Sequence, residues 1–265
     1  MRTTAIGSTG VCGILLAALP SLAAAQGAPA GARPDLTGTW DNGSGIEFVR
    51  PLRDGESVCV SGCGPAAAPP SQAAAAPRQP PSRPQYRPEL AAKVEDLRVR
   101  QVDEDPVLRC FAPGVPRIGP PDKIVQNDRE VVFLYDDVSG NFFRIIPTDG
   151  RGHRDDAEPS YLGDAVGLWE GDTLVVETVN FNGLTWLTDD GAFHTPELRV
   201  VERLRRDGDT LEWRATAYDA AVLAQPWELN ARVARRAEHD LVEAPPCIER
   251  DLDHMVDDSH HPNPR

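Results

Sequence analysis

The chain is short of positive charge. Its 265 residues carry 27 Lys and Arg against 41 Asp and Glu, for a formal net charge of -14 and a pI near 4.8. Nucleic-acid affinity rests largely on phosphate neutralisation, so this balance argues against a protein that wraps a duplex. It argues equally against a peripheral anchor on anionic lipid. Long apolar runs are scarce too. After the first 25 residues none approaches the roughly 20 that a membrane span needs. Nucleotide-binding frames are missing: there is no G-x-G-x-x-G and no Walker pattern. Ser139 and Ser160 lack a G-x-S-x-G frame, which disfavours a serine hydrolase. No H-E-x-x-H is present, and no internal repeat.

What is there begins with a processing signal. Met1-Arg2 gives a short positive start, and an apolar run with Val11, Ile14, Leu15, Leu16 and Leu19 follows. Pro20 breaks it, and Leu22-Ala23-Ala24-Ala25 supplies small residues for cleavage before Gln26. The expectation is a cleaved secretory peptide over residues 1–25 and a periplasmic or extracellular mature protein. Cys12 lies inside the apolar run rather than at its end, against a lipoprotein anchor.

Four cysteines then remain: Cys59, Cys63, Cys110 and Cys247. An even number in an oxidising compartment favours disulfides. Three pairings are open. Cys59 with Cys63 closes a small loop and leaves Cys110 with Cys247, which ties the start of the main domain to its end. Zinc is the rival, but Cys110 and Cys247 stand alone instead of forming a second close pair.

Residues 26–104 read as an N-terminal strap. Within it, Asp35–Trp40 reads as a short strand or anchor, with Leu36 and Trp40 buried. Residues 64–88 are Pro-, Ala- and Gln-rich and bury too little to fold alone, so they form a semi-rigid loop. Residues 89–100 read as a short helix, with Leu90, Val94 and Leu97 on one face and Pro88 just ahead. Residues 105–250 read as β. Val131–Tyr135, Phe142–Ile146, Leu174–Phe181, Leu198–Arg205 and Leu211–Tyr218 are β-prone runs. Turn signals stand at 137–141, 170–172 and 207–209, the last an Asp-Gly. No crossover helix appears between them, so the fold class is all-β and mainly antiparallel, a closed sheet or barrel. Residues 251–265 read as a frayed acidic tail.

Several segments carry a family resemblance. Gly150-Arg151-Gly152-His153, the run from Tyr161 to Thr178 containing Gly163-Asp164-Ala165-Val166-Gly167-Leu168-Trp169-Glu170-Gly171-Asp172, and Phe193-His194-Thr195-Pro196 are its core. Cys110–Arg117 and Pro226-Trp227 add to it. Together they resemble a broad, mostly uncharacterised group of secreted bacterial proteins, over roughly residues 105–250. Ala165 stands where that group commonly has Ser, and Glu177 where it commonly has Asp. The resemblance implies export and a lipocalin-like barrel.

Alternation assigns the faces. After Asp172, one face holds Leu174, Val176, Thr178 and Asn180, the other Val175, Glu177, Val179 and Phe181. The second is the more apolar and is expected inside. In the later strand Leu198, Val200, Glu202 and Leu204 share the apolar face. Glu177 and Glu202 are thus both expected in one interior, each needing a partner because a lone buried carboxylate is costly. Arg144 is a candidate partner. Leu211, Trp213, Ala215 and Ala217 share a face whose two alanines leave space. Two readings follow: a structural ion-pair network, or a ligand cavity with acid–base work. His153 and His194, in loops bordering strands, are candidate bases. A metal held by both histidines and nearby carboxylates is a further alternative, though no metal and no cofactor is the expectation. The expected function is therefore a secreted, cofactor-independent lyase or isomerase acting on a small hydrophobic or aromatic molecule. His153, His194, Glu177, Glu202 and Arg144 would do the chemistry, and Tyr161, Trp169, Trp186, Phe193 and Trp213 would line the site. The alternatives are a non-catalytic carrier with the same cavity, or an interaction module using the acidic surface or the Pro-rich strap.

Overall fold

Period-two burial marks several segments from Lys123 onward, Glu130–Asp137, Thr173–Val179, Arg199–Asp207 and Thr210–Tyr218 among them, as half-buried strands require. The structure, a computed structural model, describes residues 33–42, 48–51, 57–61, 82–137, 139–244 and 247. The segment expected to be a secretory peptide, the Pro-rich run up to residue 81, the expected Cys59–Cys63 pairing and the 251–265 tail lie outside the described residues.

Twelve strands follow in order: β1 (Gly38–Asp41), β2 (Phe48–Pro51), β3 (Ser57–Ser61), β4 (Lys123–Gln126), β5 (Glu130–Asp137), β6 (Gly140–Pro147), β7 (Asp164–Glu170), β8 (Thr173–Val179), β9 (Arg199–Asp207), β10 (Thr210–Tyr218), β11 (Trp227–Glu228) and β12 (Arg232–Ala237). β2 and β3 pair only with each other, and β11 flanks β10. The other nine form one antiparallel sheet in the order β6-β5-β4-β1-β12-β10-β9-β8-β7. Setting aside β2, β3 and β11, each strand pairs with its neighbour in the chain except β6 with β7, and the last meets the first where Trp40 stands opposite Arg236. The result is an all-β, nearly closed, up-and-down barrel. Its seam lies between β6 and β7, the two ends of the sheet. Among the described residues no backbone hydrogen bond crosses that seam.

Turn chemistry sets the hairpins. Gly171 joins β7 to β8 with φ 63, and Gly208 joins β9 to β10 with φ 57, a left-handed conformation glycine adopts without strain. The interior is filled by side chains from all round the barrel. Trp40, Phe133, Tyr135, Ile146, Leu204 and Trp213 are each at most 1% exposed. Leu36 is fully buried as well, so the Asp35–Trp40 segment anchors as its pattern indicates. It also does more than anchor, since β1 is a barrel strand and the barrel begins well upstream of residue 105.

The short helix is α1 (Ala91–Val99), entered through a 3-10 turn at Pro88–Leu90. Leu90, Val94 and Leu97 pack on the core, the face expected from their spacing. Phe193 stacks on Tyr86 at 5.4 Å, and Tyr86 Oη donates to the Phe193 carbonyl at 2.5 Å. This ties the strap to the loop after β8.

Candidate functional site

Register decides which expected residues can meet. Val176 of β8 stands opposite Glu202 of β9, and Glu177 opposite Val201. Directly paired residues share a face, so Glu177 and Glu202 cannot both point inward. Glu202 is the interior one, fully buried, whereas Glu177 lies on the outer face with a 42% exposed side chain. The expectation for Glu177 is therefore corrected. The inner face of β8 is the one with Leu174, Val176 and Thr178, because Thr178 has a polar partner inside.

That partner is Arg144, which projects inward from β6 and pairs with Glu202 at 2.6 Å. Its guanidinium also donates to Thr178 Oγ1 at 2.7 Å and to Tyr135 Oη at 3.1 Å. Trp213 Nε1–H donates to the other Glu202 oxygen at 3.0 Å. Burial pushes the Tyr135 hydroxyl well above its usual range, so it stays protonated. Five side chains thus form one network in the interior, in which Arg144 Nε is left without a hydrogen-bond partner. This is the structural network that the sequence offers as one of its two readings. Trp213 belongs to it as a hydrogen-bond donor.

His194 is 3% exposed. Its Nδ1 lies 2.8 Å from the Thr195 carbonyl, which can only accept, so Nδ1 carries the proton. Nε2 then accepts from Thr185 Oγ1 at 2.7 Å. Burial holds its pKa below the usual histidine value. The carboxylates nearest to it in sequence, Asp189 and Asp190, are engaged elsewhere: Asp189 pairs with Arg117 and Asp190 with Arg83. Trp186 and Phe193 are buried in the same loop, paired across an isolated bridge. His194 and these two aromatics are core of the loop after β8.

His153 has a different setting. Its Nδ1 is 3.0 Å from Asp164 Oδ2, and its Nε2 is 3.4 Å from Glu177 Oε1. Arg154 Nε donates to the second Asp164 oxygen at 2.9 Å, and Arg199 pairs with Glu177 at 2.9 Å. Arg154's guanidinium and backbone N–H, with the His153 ring, hold the Asp164 carboxyl below its usual range against the opposing effect of burial. The line Arg154–Asp164–His153–Glu177–Arg199 runs along the outside of β7 and β8. His153 and His194 share no partner. Among the described residues no group of three or more His, Cys, Asp or Glu is arranged to hold a metal ion.

Asp164 also borders a cleft of about 720 Å³ that opens over the β6–β7 seam. This lies within the usual range for small-molecule sites. β6 contributes Phe143 and Ile145, 64% and 52% exposed on its outer face. The segment before β4 contributes Phe111, held by the Cys110–Cys247 disulfide, whose Cα atoms are 5.6 Å apart. This is one of the three pairings open from the sequence. Asp105 and the guanidinium of Arg117, joined at 2.7 Å and 2.8 Å, brace the same segment.

The loop between β6 and β7 contributes Tyr161, stacked on Phe111 at 5.4 Å. Asn180 fixes that loop by donating to the Ala157 carbonyl at 2.7 Å. Gly163 lets the chain turn into β7. Its φ is +70, and a Cβ there would sit 2.5 Å from the Val179 carbonyl oxygen. Gly167 faces inward, and its missing side chain lets β7 approach Ile146 of β6 and Thr148 just beyond it. The seam is thus narrow beside Gly167 and open along Phe143 and Ile145.

Of the expected lining residues, only Tyr161 borders this cleft. Trp169 packs against the core. Phe111, Phe143, Ile145, Arg154 and Asp164 do border it, and sequence reasoning did not single them out for a site. Asp164 sits inside the Gly-Asp motif, which was the available signal. Exposed apolar side chains on an outer strand face leave none. No protein-family model matches the chain, and none of the curated proteins matches it.

Proposed function

We propose that this is an exported protein that binds a small, mostly apolar molecule in the seam cleft, on the outside of a packed barrel. The observation that carries the proposal is the cleft itself: about 720 Å³, with Phe143 and Ile145 left more than half exposed beside the stacked Phe111 and Tyr161. Large apolar side chains grouped at a concave surface mark binding sites more often than chance exposure does. The carrier reading from the sequence is kept, with its site moved from the interior to the seam. The test is titration with N-phenyl-1-naphthylamine, an uncharged probe that fluoresces when desolvated. Binding to the wild type and its loss in Ile145→Asp support the reading. A signal that Ile145→Asp leaves unchanged refutes it.

One observation favours a second reading. Asp164, at the cleft wall, holds the His153 ring by Nδ1, the arrangement that orients a general base. On this reading the protein is a cofactor-independent lyase or isomerase. His153 and Glu177 do not line the cleft and His153 Nε2 is buried, so the ring must turn toward the cleft before it can take a proton from the bound molecule and pass it to Glu177. His153→Gln would then abolish turnover and leave probe affinity intact.

A further inference from the structure

The charges at the cleft run against those of the chain. Acidic residues outnumber basic ones over the whole sequence, 41 to 27. The cleft reverses this, with Arg144, Arg151 and Arg154 at its lining against the single carboxylate of Asp164. Each arginine is committed differently. Arg144 is spent on Glu202 in the interior. Arg151 gives Nε and one terminal nitrogen to Asp149, at 2.8 Å and 2.7 Å. Arg154 gives only Nε to Asp164, at 2.9 Å. Its side chain is 67% exposed, and its two terminal nitrogens have no partner among the described residues. Asp164, meanwhile, is already engaged by His153, by Arg154 Nε and by the Arg154 backbone N–H. The one negative group at the site is therefore neutralised, and the guanidinium fork that neutralises it still has donors to spare. Guanidinium donors in that fork match the two oxygens of a carboxylate.

Resting on the proposal that the seam cleft binds a small apolar molecule, we infer that its ligand is a flat aromatic or apolar carboxylate. The ring packs against Phe143, Ile145 and the Phe111–Tyr161 pair. The carboxylate sits at the rim on the terminal nitrogens of Arg154. An uncharged ligand would bury the apolar wall and leave the fork idle. An amine would meet the fork as a like charge.

The test compares two fluorescent probes of one shape, 9-anthracenecarboxylate and 9-anthracenemethanol, titrated into the full-length protein. The inference predicts that the carboxylate binds about tenfold more tightly, the scale of one charge-assisted contact at a partly exposed site. Arg154→Gln should remove that preference and leave the alcohol's affinity unchanged. Raising the salt concentration should narrow the gap between the probes. Equal binding of both probes, still lost in Ile145→Asp, overturns the carboxylate inference and keeps the cleft as the site. A preference that survives Arg154→Gln also overturns it. Failure of both probes to bind overturns the cleft proposal, and the inference falls with it.

Discussion

Asp122 offers the sharpest test of the electrostatics. It stands just ahead of β4, largely buried. One oxygen accepts the Asp136 backbone N–H at 2.8 Å and the other the Asn42 amide at 3.2 Å. Burial is the main cause that pushes its pKa up, from 3.8 to about 6, and the carboxylates of Asp136 and Asp137 add to it. The folded chain therefore holds a proton between about pH 4 and pH 6 that the unfolded chain has released. A raised carboxyl pKa means that stability is lost as pH rises through this window. The full penalty, about 3 kcal/mol, is in place by pH 7. Asp122→Asn keeps an acceptor for the Asp136 N–H and removes the charge. With about 1 kcal/mol lost to the second, poorer hydrogen bond, the variant should be about 1–2 kcal/mol more stable than wild type at pH 7. At pH 4 the gain should vanish. Urea unfolding of both proteins at pH 4, 5, 6 and 7 reads the difference directly, and other titrating groups cancel in it. A difference that does not change with pH would refute the reasoning, as would a variant less stable than wild type at pH 7.

Other consequences are open to similar measurement. Arg144→Met leaves Glu202 buried and unpaired and should cost about 3–5 kcal/mol in urea unfolding, while adding Glu202→Leu should recover much of it. A Cβ at position 167 would stand 2.9 Å from Thr148 Cγ2 and 3.0 Å from Ile146 Cγ2, so Gly167→Ala should lower stability by about 1–3 kcal/mol in thermal melts. His194 is held neutral by burial, so its contribution to stability is present above the ordinary histidine pKa and lost as pH falls. Its ring resonances should accordingly titrate below those of a histidine in a free peptide, as NMR would show. Cys110→Ser with Cys247→Ser removes a bridge between residues 137 apart in sequence and should cost about 2–5 kcal/mol.

The sequence made the regular strands legible where one face was apolar and the turn was marked. β5, β6 and β10 each contain an expected run, β8 and β9 each overlap one, and Gly171 and Gly208 sit at expected turns. β7 and β12 break the rule. β7 turns Gly167 inward against β6 and leaves Leu168 58% exposed, and β12 holds three arginines with Val233 56% exposed. Their membership of the sheet comes from pairing, which no single strand reveals. The same limit misplaced Glu177: counting apolar residues on the two faces of β8 favoured the outer one. Only the register with β9 shows that Thr178, bonded to Arg144, is inside. The site was harder still. Its walls come from β6, from the segment held by the disulfide and from the loop at Tyr161. They meet only because the sheet stops short of closing.

The central claim is that the ligand seat is the seam cleft and not the barrel interior. A crystal structure of the protein soaked with 9-anthracenecarboxylate tests it most directly. The account predicts density between Ile145, Phe143 and Tyr161, with the carboxylate on Arg154. Density inside the barrel beside Glu202 and Trp213, with the cleft empty, would contradict it.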